Sequence, residues 1–243
     1  MDQRIWPQNS GRPEMKYGVD IVFCIDATGS MRPMIDIVKR TVKQLPNDIL
    51  RCAGEYPIPK EIDCLRLRAI LFRDYLADGK YAMEATDFFK VPEQQELFNN
   101  IIQEIVVDGG GDEPEDGLEA LAYAMSSDWQ KPVPGKRKCR QIIVVLTDAS
   151  THPIGYAKES PYYDPQMPTR FETLCSWWGN GPEDKDAKMH YYSKRLLMFA
   201  PKADWWTTIK KNWENVILTE TEAGKGLQEQ SYDKIINLLV NSI

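Results

Sequence analysis

Short apolar runs rich in β-branched residues alternate along this chain with stretches whose apolar positions recur every three or four residues. Asp20 leads into Ile21-Val22-Phe23-Cys24-Ile25, an unbroken apolar run that stops abruptly at Asp26. That is the pattern of a parallel strand covered on both faces. Over 30–45, Met34, Ile35, Val38, Val42 and Leu45 mark one face of a helix, which Pro46 should close. Residues 51–62, punctuated by Pro57 and Pro59, read as loop. A second strand over 65–72 runs into Arg73-Asp74-Tyr75, and Asp78-Gly79 turns the chain into an antiparallel partner over 81–89. A helix over 92–105 carries Leu97, Ile101, Ile102 and Ile105 on one face. After an acidic, glycine-rich loop at 108–116, Leu118, Leu121, Ala122 and Met125 resume a helical face.

The clearest central strand is Ile142-Ile143-Val144-Val145-Leu146, ending in Thr147-Asp148-Ala149-Ser150. Thr169-Arg170-Phe171-Glu172 has the form of a capping box opening a short helix to about Trp178. A strand over 196–199, a helix over 203–212, a strand over 215–218 and a helix over 232–242 complete the alternation. It predicts an α/β fold: a doubly wound, mostly parallel six-stranded sheet flanked by helices, with one antiparallel edge strand. Residues 1–17, with Pro7, Gly11, Pro13 and few apolar anchors, read as an extended arm before a single domain over 18–243. The stretch 151–192 is an aromatic insertion within that domain.

Composition narrows the picture. With 243 residues, 42% of them apolar, the chain can build a sizeable core. No run approaches the ~20 apolar residues of a membrane span, so a soluble protein without a membrane partner is expected. The opening residues are polar, without a secretory pattern, and five scattered cysteines are an odd number. Both point to reduced thiols and a cytoplasmic location. A net charge of −6 disfavours nucleic acid as a partner, and the basic run Lys136, Arg137, Lys138, Arg140 reads as the solvated start of a strand.

Candidate chemistry collects at the carboxyl ends of the strands, where open parallel sheets bind ligands. Asp26, Thr28 and Ser30 offer side-chain oxygens at alternate positions, with Gly29 letting the backbone turn. One carboxylate and two hydroxyls make a hard oxygen set suited to Mg²⁺, with Mn²⁺ or Ca²⁺ as alternatives, whereas zinc would favour nitrogen or sulfur. The same residues also suit a plain turn and helix cap.

Asp26-Ala27-Thr28-Gly29-Ser30, following a hydrophobic strand and continued by Met31, resembles the metal-ion-dependent adhesion site of von Willebrand factor A domains. The resemblance implies a divalent site built from Asp26, Thr28 and Ser30 together with a residue of the glycine loop and Asp148. In the family the loop residue is a threonine or, in some branches, an aspartate. Here Asp112 matches that place, with Glu115 as the competing alignment. The counterpart of Asp148 typically reaches the metal through water. An acid in place of threonine would tighten the cation and reduce its appetite for an external carboxylate. Asp74, ending the second strand on the same edge, either hydrogen-bonds the ligand loops or forms an ion pair.

A divalent ion held by few carboxylates keeps an exchangeable position, which a partner's Asp or Glu can complete. The expectation is therefore a metal-dependent adaptor rather than an enzyme. Stand-alone bacterial members of the family work beside kinases, phosphatases or ATPases in stress response and defence, and a partner of that kind is implied. The aromatic insertion suggests Tyr162, Tyr163, Trp177 and Trp178 as partner contacts, with inward packing as the plainer alternative. Trp205, Trp206 and Trp213 read as core or groove packing.

Two rivals remain: a Mg²⁺-dependent phosphoryl-transfer hydrolase and a purely structural metal site. A hydrolase of the haloacid dehalogenase type would require a second aspartate where Thr28 stands. There is no Gly-x-Ser-x-Gly elbow, only His152 and His190 could serve as imidazole bases, and Gly224-Lys225 lacks the spacing of a phosphate-binding loop. The loop at 108–116 lacks the twelfth-position glutamate of an EF-hand.

Overall fold

The computed structural model describes residues 15–55, 61–111, 113–222 and 232–243. The expected arm therefore lies largely outside the described residues, although Lys16 and Tyr17 already belong to the first strand. In chain order the elements are β1 (Lys16–Asp26), α1 (Ile35–Glu55), β2 (Ile62–Phe72), α2 (Tyr75–Asp78), β3 (Met83–Ala85), β4 (Phe89–Val91), α3 (Gln95–Glu104) and α4 (Gly117–Met125). They continue with β5 (Arg137–Leu146), α5 (Phe171–Trp178), β6 (Lys194–Pro201), α6 (Asp204–Asn212), β7 (Val216–Thr221) and α7 (Tyr232–Ser242).

The sheet has seven strands in the order β3-β2-β1-β5-β6-β7, with β4 also pairing β2. All pairings among β2, β1, β5, β6 and β7 are parallel, and β3 and β4 pair antiparallel with β2. The expected doubly wound α/β sheet is present. Its antiparallel edge is split into two short strands, which makes seven where six were expected. Asp78-Gly79 is not a tight hairpin turn: α2 and a 3-10 turn at Gly79–Tyr81 carry the chain around that corner.

Alternation along β1 sorts its side chains between two cores. Val19, Ile21, Phe23 and Ile25 pack with α1, α3 and α7, while Val22 and Cys24 face α4 and the aromatic side. Trp178, Trp206 and Trp213 are buried in the second core. All five cysteines are unbridged.

Two helices differ from the sequence pattern. The chain after β1 first makes a 3-10 turn at Gly29–Met31, and α1 then continues through Pro46 to Glu55. Proline inside a helix removes a hydrogen bond and costs about 3 kcal/mol. Val42, Leu45, Ile49 and Ala53 are all buried along that helix, and their burial, at about 25 cal/mol per Å² of apolar surface, offsets the loss. α5 ends where expected, but Arg170 occupies its N-cap without a side-chain cap, so the capping box does not form.

The register fixes the functional end of the sheet. Ile25 pairs with Leu146 and Asp26 with Phe72, so β1, β2 and β5 end level with one another. Successive strands are added on one side of β1 and then, from β5 onward, on the other. The crevice between β1 and β5 is therefore the point at which the winding reverses, where doubly wound sheets bind ligands.

Candidate metal centre

At that crevice the first loop folds back on its own carboxylate. Asp26 Oδ1 accepts from the Thr28 backbone N–H at 3.0 Å and from Thr28 Oγ1 at 2.6 Å. Asp26 Oδ2 accepts from Thr147 Oγ1 at 2.6 Å, so the residue ending β5 orients the acid ending β1. Ser30 Oγ donates to Asp148 Oδ1 at 2.9 Å and lies 3.1 Å from Thr28 Oγ1. Asp26, Thr28, Ser30 and Asp148 thus form one hydrogen-bonded cluster, with Ser30 exposed at its mouth and the other three buried.

The glycine loop closes over this cluster. Gly109, Gly110 and Gly111 all have positive φ, a backbone that side chains disfavour. At Gly110 a Cβ would fall 2.6 Å from Thr28 Cβ and 2.8 Å from Glu115 Oε1, so only glycine lets the loop come this close. Gly29 N–H donates to the Gly109 carbonyl, joining the two loops. Glu115 therefore lies against Thr28 across Gly110. Its backbone is held on both sides by the loop that carries Asp148: Glu115 N–H donates to Ser150 O and His152 N–H to Glu115 O. Of the two alignments for the loop acid, Glu115 is brought to the cluster, while Asp112 lies outside the described residues.

Electrostatics mark the cluster as short of positive charge. Burial pushes the Asp26 carboxyl up to about 6 despite its bonds from Thr147 and Thr28. Burial, then the charges of Asp26, Asp74, Asp78 and Asp116, push Glu115 up to about 9. Asp148 is also raised by burial, partly offset by the Ser30 hydroxyl. Asp148 Oδ2 and Glu115 Oε2 are buried without a hydrogen-bond partner. An unpartnered buried carboxylate oxygen is costly unless something cationic meets it. The oxygens therefore fit a hard divalent ion. Among the described residues no three His, Cys, Asp or Glu side chains form a ready-made cage, and the hydroxyls of Thr28 and Ser30 are the further oxygens at hand.

The other expected residues lie outside the cluster itself, although Asp74 meets His152 on the loop that carries Asp148, one of its two expected roles. Asp74 makes no hydrogen bond to Asp26, Thr28, Ser30, Glu115 or Asp148. It caps α2 through the Leu76 and Ala77 N–H groups and meets His152 Nε2 at 3.3 Å. The His152 ring in turn stacks on Tyr156 at 4.0 Å. Of the four aromatic partner contacts, Tyr163 and Trp178 are buried: Tyr163 donates to Glu119 and Pro168 O, and Trp178 donates to Glu214 O. Their apolar surface was needed inside to cover α4 and β6. Trp177 is half-buried under Lys188, and Tyr162 alone is well exposed, at 54%, with its ring against Gly79 beside α2.

Three residues at the site were missed in the sequence: Thr147, Arg73 and Asp78. Each sits in a polar cluster just after a strand or in the α2 turn, and that position was the available signal.

Comparison with known proteins supports this architecture. Neither a protein-family model nor a curated protein matches the chain. Among solved structures, the pilus adhesin SpaC of Lactobacillus rhamnosus GG aligns over 93% of this chain and 30% of its own, at 13% identity and a TM-score of 0.52. Proximal thread matrix protein 1 of the mussel byssus aligns over 94% of this chain and 49% of its own, at 12% identity and a TM-score of 0.50. The chain thus spans half or less of the length of each. At such identities the likeness establishes the fold, a von Willebrand factor A or Rossmann-like sheet. No described helix is long and apolar enough to cross a membrane.

Proposed function

We propose that this chain is a divalent-cation-dependent protein interaction domain, and not an enzyme. The observation that carries the reading is the pair of buried, unpartnered oxygens, Asp148 Oδ2 and Glu115 Oε2, beside the hydrogen-bonded set Asp26, Thr28 and Ser30. Asp26, Thr28, Ser30, Glu115 and Asp148 would hold the ion, with Mg²⁺ the best match to hard oxygen donors. When bound, such an ion would supply a coordination position open to an outside oxygen, with the pull on an added carboxylate lowered by the Glu115 acid.

The chain's own residues do the rest. Thr147 and Thr28 fix the rotamer of Asp26. Ser30 holds Asp148 and is the hydroxyl that reaches the surface. The close approach at Gly110 covers Thr28, which is buried. A partner presenting an Asp or Glu would meet the site from the Ser30 side, and Tyr162 and Leu76, both exposed around α2, provide apolar surface next to it. A kinase, phosphatase or ATPase acting in a cytoplasmic stress-response or defence setting is the partner class in view.

The test is affinity capture from cell extract with Mg²⁺ and with EDTA, using wild type and Asp26→Ala. A partner retained only with Mg²⁺ and lost in Asp26→Ala supports the adaptor. Capture indifferent to both changes refutes it, and a cation that raises the melting temperature without altering any capture assigns the site a structural role.

A further inference from the structure

The candidate ligands sit on three separate loops. One buried side chain that offers no ligand reaches two of them, the Asp26 loop and the glycine loop. Arg73, the residue after β2, is 8% exposed. Its Nε donates to Ala27 O and Asp108 O, both at 3.1 Å, and Nη2 donates to Val106 O at 3.0 Å. Nη1 donates to Tyr81 O at 2.7 Å and pairs with Glu84 at 3.0 Å. Ala27 lies between Asp26 and Thr28, while Val106 and Asp108 open the glycine loop. The carbonyl of Arg73 accepts from Asp116 N–H, next to Glu115. Five residues further on, Asp78 Oδ2 takes the N–H of Gly110 at 2.9 Å, at the point of closest approach to Thr28.

We infer that Arg73, assisted by Asp78, is the positioning residue of the metal centre: it clamps the Asp26 loop to the glycine loop and so sets where the candidate ligands meet. The role depends on shape as well as charge. A planar guanidinium can serve several fixed carbonyls at once, whereas an ammonium on a flexible stem cannot match that fork. Glu84, half-exposed at the sheet edge, is only one of its acceptors, so the carbonyl contacts are the part that matters.

The inference rests on the metal-binding reading, and the test separates the two. Mn²⁺ binding to the full chain is measured by calorimetry, and the bound-Mn²⁺ EPR spectrum is recorded, for wild type, Arg73→Lys, Asp78→Ala and Glu84→Gln. Loss of a residue that orients metal ligands typically weakens binding by about 10–100-fold. That drop, with an altered Mn²⁺ spectrum, is expected for Arg73→Lys, a smaller drop for Asp78→Ala, and no change for Glu84→Gln. Should Arg73→Lys fail to fold, Asp78→Ala alone decides the matter. If wild type binds Mn²⁺ and both Arg73→Lys and Asp78→Ala bind within about twofold of it, the positioning role is wrong even if they melt earlier. If wild type binds no Mn²⁺, the metal reading itself is wrong and this inference falls with it.

Discussion

β1 carries two buried aspartates six positions apart, and the structure treats them in opposite ways. Asp20, near the start of the strand, accepts from Arg66 Nε and Nη2 and from the backbone and side-chain nitrogens of Gln130. Its charge is matched and both of its oxygens are occupied. Asp26, at the far end, receives only neutral hydroxyls and one amide, and its neighbours Asp148 and Glu115 each keep a buried oxygen with no partner. A buried acid that serves the fold is given its counter-charge from within the chain. At the end of β1 the counter-charge is missing, and a divalent cation would supply it.

The contrast can be broken at either end. Asp20→Ala should have the largest effect on stability, about 3 kcal/mol in chemical denaturation, because it strands the Arg66 guanidinium, while Mn²⁺ affinity in the folded fraction stays unchanged. Asp26→Ala should do the reverse. It should weaken Mn²⁺ binding by about 100-fold or more, near 2.7 kcal/mol, with metal-free stability within about 1 kcal/mol of wild type. Glu115→Gln should weaken Mn²⁺ binding by about tenfold, with the metal-free chain melting no earlier than wild type near neutral pH, since a carboxyl raised to about 9 is already neutral there and the amide matches its shape.

The pH response follows from the same deficit. Asp26, raised to about 6, and Glu115, raised to about 9, hold protons more tightly folded than unfolded. Their contribution to the stability of the metal-free chain is therefore fully present below the ordinary carboxylate range and is lost as pH rises through about 6 and about 9. Saturating Mg²⁺ should flatten that decline in thermal melts recorded across the range. The smallest effect is expected at Tyr162→Ala, within about 0.5 kcal/mol in stability, as for other exposed side chains away from such features. Any loss of Mg²⁺-dependent capture in that variant would then report partner contact.

Much of this was legible along the chain because burial on both faces leaves an unmistakable apolar run. Ile21 to Ile25 and Ile142 to Leu146 announced the two central strands, and the polar residues that end them, Asp26 and Asp148, met as neighbours once the strands paired. The helix through Pro46 was not legible, since a local breaker is overridden only by tertiary burial that no local pattern displays. The same holds for Tyr163 and Trp178, whose aromatic density reads equally well as surface or core until α4 and β6 are in place. Spacing did not separate Glu115 from Asp112; the backbone pairing of Glu115 with Ser150 and His152 brings Glu115 to the cluster, and Asp112 lies outside the described residues. Arg73 left only the faint signal of a basic residue just past a strand.

The most direct measurement is anomalous X-ray scattering from crystals grown with Mn²⁺. A site that holds a cation should show a single anomalous peak within bonding distance of Ser30 Oγ and Thr28 Oγ1, with carboxylate oxygens of Asp148 and Glu115 turned toward it. Crystals at millimolar Mn²⁺ with no peak between Asp26 and Asp148, or with the metal only at surface acids, would contradict the central claim.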